Sequence, residues 1–259
     1  MLIWLPGFTP TTFHGDLTRY DHIILSVSGG KDSHAMLFHV LEMSEKQGVR
    51  NRIKAVYADT GMEWHNAEAH VKKICKIANV PLKIVRPKLG LIERMEIKVS
   101  TCPTVKFPSP HCRYCTSKQK CEPIDSYIRN FQGKILQVTG ERRDESRSRS
   151  KLPDYGITKR LCLKNGKRIV EGWRPMLEFE TKDVFSVISG SGVEPHQCYE
   201  MGSSRLGCAG CIFSSDNDLI IEMRENPHVY HRLDKLEIDS GYTMSMSGKR
   251  IRDRIKGIN

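Results

Sequence analysis

Residues 23–33 read Ile-Ile-Leu-Ser-Val-Ser-Gly-Gly-Lys-Asp-Ser, and His34 to Leu41 continue as a helix-like run. An apolar, β-branched strand that ends in two glycines and opens a helix leaves few folds open. It presents several backbone N–H groups to an anion at a helix N-terminus. Gly29 and Gly30 let a ligand approach the backbone closely. Lys31 adds a charge on a flexible stem, and Ser28 and Ser33 add hydroxyls. Asp32 accepts only, so beside phosphates it is expected to hold a metal ion or to cap the helix.

The strand-then-helix pattern repeats. Ile53–Ala58 reads as a second strand leading into Asp59-Thr60-Gly61, and a helix is expected from about Trp64 to Ala78. Val71, Ile74, Cys75 and Ala78 mark its buried face by their spacing. Leu82–Val85 and Ile135–Val138 read as further strands, the last followed by Gly140. The fold class is therefore α/β: a mainly parallel twisted sheet with helices on both faces. Ligands of such sheets sit at the carboxyl ends of the strands, where Ser28–Gly30, Asp59–Gly61 and Gly140 all fall. Thr101–Pro110 holds three prolines and is expected to be an irregular loop. Helices are expected near Ile124–Phe131, over Thr181–Ile188 and over Asp216–Glu225. A basic hairpin is expected around Asn165-Gly166. The expected organisation is one nucleotide-binding domain over residues 1–215, with a Cys-rich insertion around 101–123. A C-terminal helix and a basic hairpin or arm follow over 216–259.

Composition narrows the partners. Lys and Arg number 41 against 30 Asp and Glu, a net charge of +11, which suits a nucleotide or a nucleic acid. No apolar run approaches the ~20 residues that span a bilayer. Met1–Leu5 is apolar but has no basic segment before it and is cut short by Pro6-Gly7, so it is expected to pack on the fold as a strand or plug rather than act as a signal peptide. Nine cysteines then point to a reducing, cytoplasmic setting and to thiols as ligands, nucleophiles or core residues.

Ser28-Gly29-Gly30-Lys31-Asp32-Ser33 resembles the PP-loop of the adenine nucleotide alpha-hydrolase superfamily, which binds ATP and cleaves it between the α and β phosphates. Further blocks sharpen the likeness. Asp59-Thr60-Gly61, Arg113-Tyr114-Cys115-Thr116 with Lys120 and Pro123, and Gly140-Glu141-Arg142-Arg143-Asp144-Glu145-Ser146 with Arg149 occur in that order. Tyr199, Gly202, Arg205, Gly207, Cys208 and Cys211 follow. Together they resemble the phosphoadenosine phosphosulfate reductase family over residues 20–215. Tyr114 stands where the family has Trp, and Cys198 where it has Leu. The resemblance implies a Rossmann-like fold and a site for ATP with Mg²⁺. Its nucleotide contacts would be Ser26, Ser28, Gly29, Gly30, Lys31, Asp32, Ser33, Asp59, Thr60, Gly61, Gly140, Arg142, Arg143, Glu145, Ser146 and Arg149. Lys31, Asp32 and Arg142 would serve the chemistry. The arginines of 142–149 suit an anion clamp in their own right, because guanidinium forks bind phosphate or sulfate bidentately.

Cys112-x-x-Cys115 and Cys208-x-x-Cys211 each set two sulfurs on one side of a turn, as a zinc ion or an iron–sulfur cluster requires. Related reductases carry a [4Fe–4S] cluster at the matching blocks, so the resemblance implies a cluster held by Cys112, Cys115, Cys208 and Cys211. Zn²⁺ is the alternative. In those enzymes two cysteines are adjacent; here Thr116 takes the second position, and Cys121 or Cys198 could replace Cys112. Cys75 is expected in the core.

Family reductases use a nucleophilic cysteine in a C-terminal tail, and residues 212–259 contain no cysteine. The expectation is therefore an ATP-using relative. It would adenylate an acceptor, release pyrophosphate and let a sulfur donor, such as a cysteine desulfurase, displace AMP. Nucleic-acid thiolation is the example that the resemblance supplies. A sulfonucleotide reductase is the alternative. A nucleotide-sensing, nucleic-acid-binding regulator without turnover is the alternative of another class.

Overall fold

The structure is a computed structural model and describes residues 8–104 and 106–256. The expectation for Met1–Leu5 lies outside them. The chain divides into two compact units interleaved in sequence: residues 1–57, 69–84 and 124–195 form the first, and 58–68, 85–123 and 196–259 the second. This division differs from a boundary at 215, because residues 196–259 cluster with the Cys-rich stretch and not with the PP-loop.

The first unit is built on a sheet with seven strands among the described residues: β1 (Phe8–Pro10), β2 (His22–Val27), β3 (Ile53–Ala58), β4 (Leu82–Val85), β5 (Gly133–Thr139), β6 (Tyr155–Thr158) and β7 (Arg168–Trp173). Their order is β1-β6-β7-β5-β2-β3-β4. β3, β2, β5 and β7 are mutually parallel, with Leu25 opposite both Ala55 and Val138. β6 pairs antiparallel with β7 and β1. Ile23, Leu25, Ala55, Leu136 and Val138 are fully buried in one apolar cluster. Near-continuous apolar runs are what a sheet covered on both faces demands. α1 (Lys31–Lys46) packs on α6 (Thr181–Ser189), and α2 spans Ala67–Ile77. Val71, Ile74, Cys75 and Ala78 are buried, as their spacing requires.

The β6–β7 connection turns at Gly166 (φ 71°), with Lys167 N–H donating to Asn165 Oδ1 at 3.1 Å. The hairpin expected there exists, and its strands lie outside the basic run. β7 carries Glu171 into a buried cluster, where the Tyr20 and Tyr155 hydroxyls donate to its carboxylate. A charged residue mid-strand hides the alternation that would have revealed β7.

The second unit contains α3 (Leu91–Thr101) and α4 (Tyr114–Thr116) with the π-helical turn (Ser117–Cys121) that follows it, then α7 (Asp216–Glu225), α8 (Pro227–Ser240) and α9 (Ile251–Arg254); α5 (Glu122–Ile128) falls mostly in the first unit. Leu91, Ile92, Met95, Met223, Leu233, Leu236 and Ile251 share the second unit's core. α8 starts with Pro227 at its first turn and stops at left-handed Gly241, the usual signals for a helix start and stop. No strand occurs in the described residues after α8, so the C-terminal hairpin does not form. Instead the buried Glu237 carboxylate accepts from the backbone N–H groups of Met244 and Ile251, both at 2.7 Å. Arg252 pairs with Asp234 and Arg254 with Asp216. Arg252 and Arg254 are thus spent within the unit and not free on a basic arm.

Candidate nucleotide site and cysteine centre

The loop between β2 and α1 is held by its own hydroxyls. Ser33 Oγ accepts from Ser28 N–H at 3.1 Å and donates to the Gly30 carbonyl at 3.0 Å, while the Ser28 and Ser33 hydroxyls lie 3.1 Å apart. Gly29 sits at φ 80°, where a side chain would be strained. No side chain caps α1 at Gly30, so Asp32 is not the helix cap. Backbone donors at such a helix start are the raw material of an anion site. Ser26 Oγ is buried with no hydrogen-bond partner.

Gly140, just past β5, abuts this loop. A Cβ added there would lie 2.8 Å from the Asp32 carbonyl oxygen and 3.1 Å from Ser33 Cα. Arg142 follows, buried, and its side chain turns inward. Nε donates to Asp32 Oδ1 at 2.5 Å, NH1 to Asp144 Oδ2 at 2.7 Å and to the Phe179 carbonyl at 3.1 Å, and NH2 to Thr181 Oγ1 at 3.2 Å. Burial alone would lower its pKa, but Asp32, Asp144 and Glu145 together more than reverse this. Arg143 donates to Glu178 and to the Ser150 and Leu152 carbonyls, and Arg149 pairs with Glu145. Glu145 also accepts from Arg142 N–H at 2.9 Å. Ser146 Oγ lies 3.0 Å from Ser148 Oγ. Within the anion clamp expected from residues 142–149, Arg142, Arg143 and Arg149 are thus paired with carboxylates. These arginines organise the loop and, through Arg142, the PP-loop.

In the second unit, Asp59 Oδ1 accepts from Gly61 N–H and Oδ2 from Arg86 Nε, both at 2.9 Å. Gly61 takes φ 78°. Thr60 is buried and donates to Glu63 Oε1 at 2.9 Å. Its carbonyl accepts from Leu91 N–H. Thr60 thus supports the loop with both its polar groups.

Glu63 is a residue that the sequence reading missed. Its Oε1 also accepts from Cys208 Sγ at 3.3 Å and lies 3.4 Å from Lys120 Nζ. Burial and then Glu63 push the Cys208 thiol up. Burial works against the Lys120 ammonium, and the Glu63 carboxylate beside it works for it. The signal available was a carboxylate two residues after Asp59-Thr60-Gly61.

Cys112, Cys115 and Cys208 rest on one apolar cluster, and Gly210 (φ 73°) turns the second pair. Burial raises the Cys115 thiol, and Cys211 is within electrostatic reach of both Cys115 and Cys208. Among the described residues, however, no three His, Cys, Asp or Glu side chains are grouped closely enough to hold a metal ion. The four thiols share a unit, and Cys112, Cys115 and Cys208 a floor, without closing on a point. The donor chemistry suits a metal; the side-chain placement does not coordinate one. Cys198 is buried beside Trp64 and Ile221, a core position.

Residues 22–213 match the phosphoadenosine phosphosulfate reductase domain. The chain belongs to that family. An uncharacterised protein of Methanocaldococcus jannaschii is 28% identical over 207 residues, 80% of this chain and 45% of that protein. The tRNA-5-methyluridine(54) 2-sulfurtransferase of Pyrococcus horikoshii is 36% identical over 101 residues, 38% of this chain and 28% of that enzyme. The chain thus spans less than half the length of these curated relatives. Among solved structures, the phosphoadenylyl-sulfate reductase of Candida auris superposes with a TM-score of 0.51 at 16% identity, covering 74% of this chain and 83% of that one. That likeness establishes the fold. No helix among the described residues is long and apolar enough to cross a membrane.

Proposed function

We infer that this chain is an ATP pyrophosphatase that activates an acceptor for sulfur transfer. The observation that carries the reading is the PP-loop itself: Ser28–Ser33 keeps every residue of the motif and folds as a hydroxyl-braced turn into α1. An acceptor oxygen attacks the α-phosphorus, the bond to the bridging α–β oxygen breaks, and pyrophosphate leaves. The backbone N–H groups of the loop and Lys31 stabilise the charge that develops on it. A sulfur nucleophile, supplied by a donor such as a cysteine desulfurase, then displaces AMP. A nucleic-acid acceptor fits the net charge of +11 and the partial likeness to a tRNA sulfurtransferase. A reducing, cytoplasmic location suits the free thiols.

Cys112, Cys115, Cys208 and Cys211 are the residues that would hold a [4Fe–4S] cluster, or Zn²⁺, after side-chain rotation. A bound cluster would supply a Lewis-acidic iron for sulfur; the chain's own part is to present the thiols on an apolar floor.

Incubation with ATP and Mg²⁺ tests the reading. AMP and pyrophosphate are expected, and ADP refutes it. Lys31→Ala should lower ATP affinity about tenfold or more without unfolding the chain. The family description favours a sulfonucleotide reductase as the second reading. Sulfite formed from adenylyl sulfate or its 3′-phosphate with thioredoxin would establish it.

A further inference from the structure

We propose that Asp32 is a positioning residue for Lys31 and Arg142, and not a ligand of the metal ion that accompanies the nucleotide. The inference rests on the ATP reading of the PP-loop. Both carboxylate oxygens of Asp32 already face cations of the chain: Oδ1 accepts from Arg142 Nε at 2.5 Å, and Oδ2 lies 3.5 Å from Lys31 Nζ. The Asp32 side chain is 16% exposed and that of Arg142 only 4%.

Arg142 is not poised to leave. Its remaining donors are committed to Asp144, the Phe179 carbonyl and Thr181, and its backbone N–H is held by Glu145. A divalent ion entering at Asp32 would meet the fixed charge of Arg142 and the nearby ammonium of Lys31, so the site as built does not fit it. The carboxylate instead neutralises and orients two cations at the start of α1, where an anion is expected. The metal would then be held by phosphate oxygens and water, with any protein carboxylate supplied by a residue other than Asp32.

Two measurements on Asp32→Asn, checked for folding by circular dichroism, decide the matter. In the first, ATP affinity is titrated by calorimetry in Mg²⁺ and again in EDTA. A positioning residue changes both affinities by the same factor, so the two factors should agree within about twofold. A loss of about tenfold or more confined to Mg²⁺ would overturn the proposal. In the second, Mn²⁺ alone is titrated into the nucleotide-free chain and followed by electron paramagnetic resonance. Wild type and variant should give the same isotherm; a site present in wild type and lost in the variant would overturn the proposal. This second arm needs no nucleotide. A wild type that fails to bind ATP in either buffer therefore refutes the ATP reading while the Mn²⁺ comparison still decides the role of Asp32. Should Asp32→Asn unfold, Arg142→Lys takes its place. It should shift ATP affinity equally with and without Mg²⁺, and an effect confined to Mg²⁺ would count against the proposal.

Discussion

Gly140→Ala isolates the contact between the end of β5 and the PP-loop. The added Cβ would lie 2.8 Å from the Asp32 carbonyl oxygen, 3.0 Å from its carbon and 3.1 Å from Ser33 Cα. Ordinary contact begins near 3.4 Å, so the overlap is about 0.3–0.6 Å against three atoms. All belong to the backbone of the first turn of α1, which no side-chain rotation can relieve. Gly140 lies outside the left-handed region, so the cost is steric crowding and not backbone strain. Crowding of this kind costs about 1–3 kcal/mol. In a chain of this size that lowers Tm by roughly 2–4 °C per kcal/mol. The same displacement re-aims the N–H groups of residues 31–33 and carries Asp32 with them. Because ~1 Å of misplacement can cost about 100-fold, about a tenfold loss of ATP affinity is expected. Gly190→Ala is the control: its Cβ meets nothing closer than the Val187 carbonyl at 3.6 Å, so only the unfolded-state entropy gain of alanine applies. Calorimetric scans with and without ATP measure both effects. If Gly140→Ala matches Gly190→Ala in Tm and leaves ATP affinity unchanged, the argument that β5 presses on the cradle is wrong.

Three further outcomes are expected. Burial, and then the neighbouring His70, push the His34 imidazole down to about 4 from 6.5. The folded state therefore binds fewer protons than the unfolded one, and stability falls as pH drops from 6.5 toward 4. The full loss is about 3 kcal/mol, of which about 2 falls between pH 7 and pH 5; urea midpoints at those pH values should show that part, and His34→Gln should reduce the slope to the share left by His70, which burial lowers likewise. Anaerobically purified protein should be brown, with iron and acid-labile sulfide in near-equal amounts. Stoichiometric zinc would keep the four-cysteine set and exclude the cluster, whereas no metal at all would leave the thiols as core and turn residues. A fluorescence-anisotropy titration with a single-stranded RNA should show binding that weakens steeply with salt, and its absence at low salt would remove the nucleic-acid partner.

The elements that were legible in sequence are those whose local signal and packing agree. β2, β3 and β4 carry mostly apolar runs, and α7 is capped by Ser215, whose hydroxyl accepts from Asp218 N–H. β7 was hidden because Arg168 and Glu171 stand in it, each buried only through specific partners: Arg168 donates to the Leu161 and Arg129 carbonyls. α3 and α8 had readable signals in the spacing of Leu91, Ile92 and Met95 and in the Pro227 and Gly241 ends, but neither helix adjoins a motif. The site shows the same divide. The motif located the PP-loop, because its residues work through nearby backbone. It could not say where the guanidinium of Arg142 points, since Asp32, Phe179 and Thr181 are distant in sequence and only folding brings them to it.

The charge that suggested a polyanionic partner is unevenly shared. The first unit carries 24 Lys and Arg against 15 Asp and Glu, the second 17 against 15, so +9 of the +11 belongs to the unit with the PP-loop. The arginines of 142–149 do not explain that excess, because Arg142, Arg143 and Arg149 are each matched with carboxylates. Much of it lies elsewhere. Residues 69–84 hold four lysines and no acid, on α2 and the edge strand β4, and the β6–β7 connection exposes Lys159, Lys164 and Lys167. Lysines on such surfaces act as a diffuse field, raising the local concentration of anions and responding to salt. Internally paired arginines contribute geometry and little net field. A cluster of arginines in sequence is thus no measure of net field in this chain: Arg142, Arg143 and Arg149 are matched with carboxylates, the field comes from scattered lysines, and the proposed grip on an anion falls to the backbone of residues 28–33.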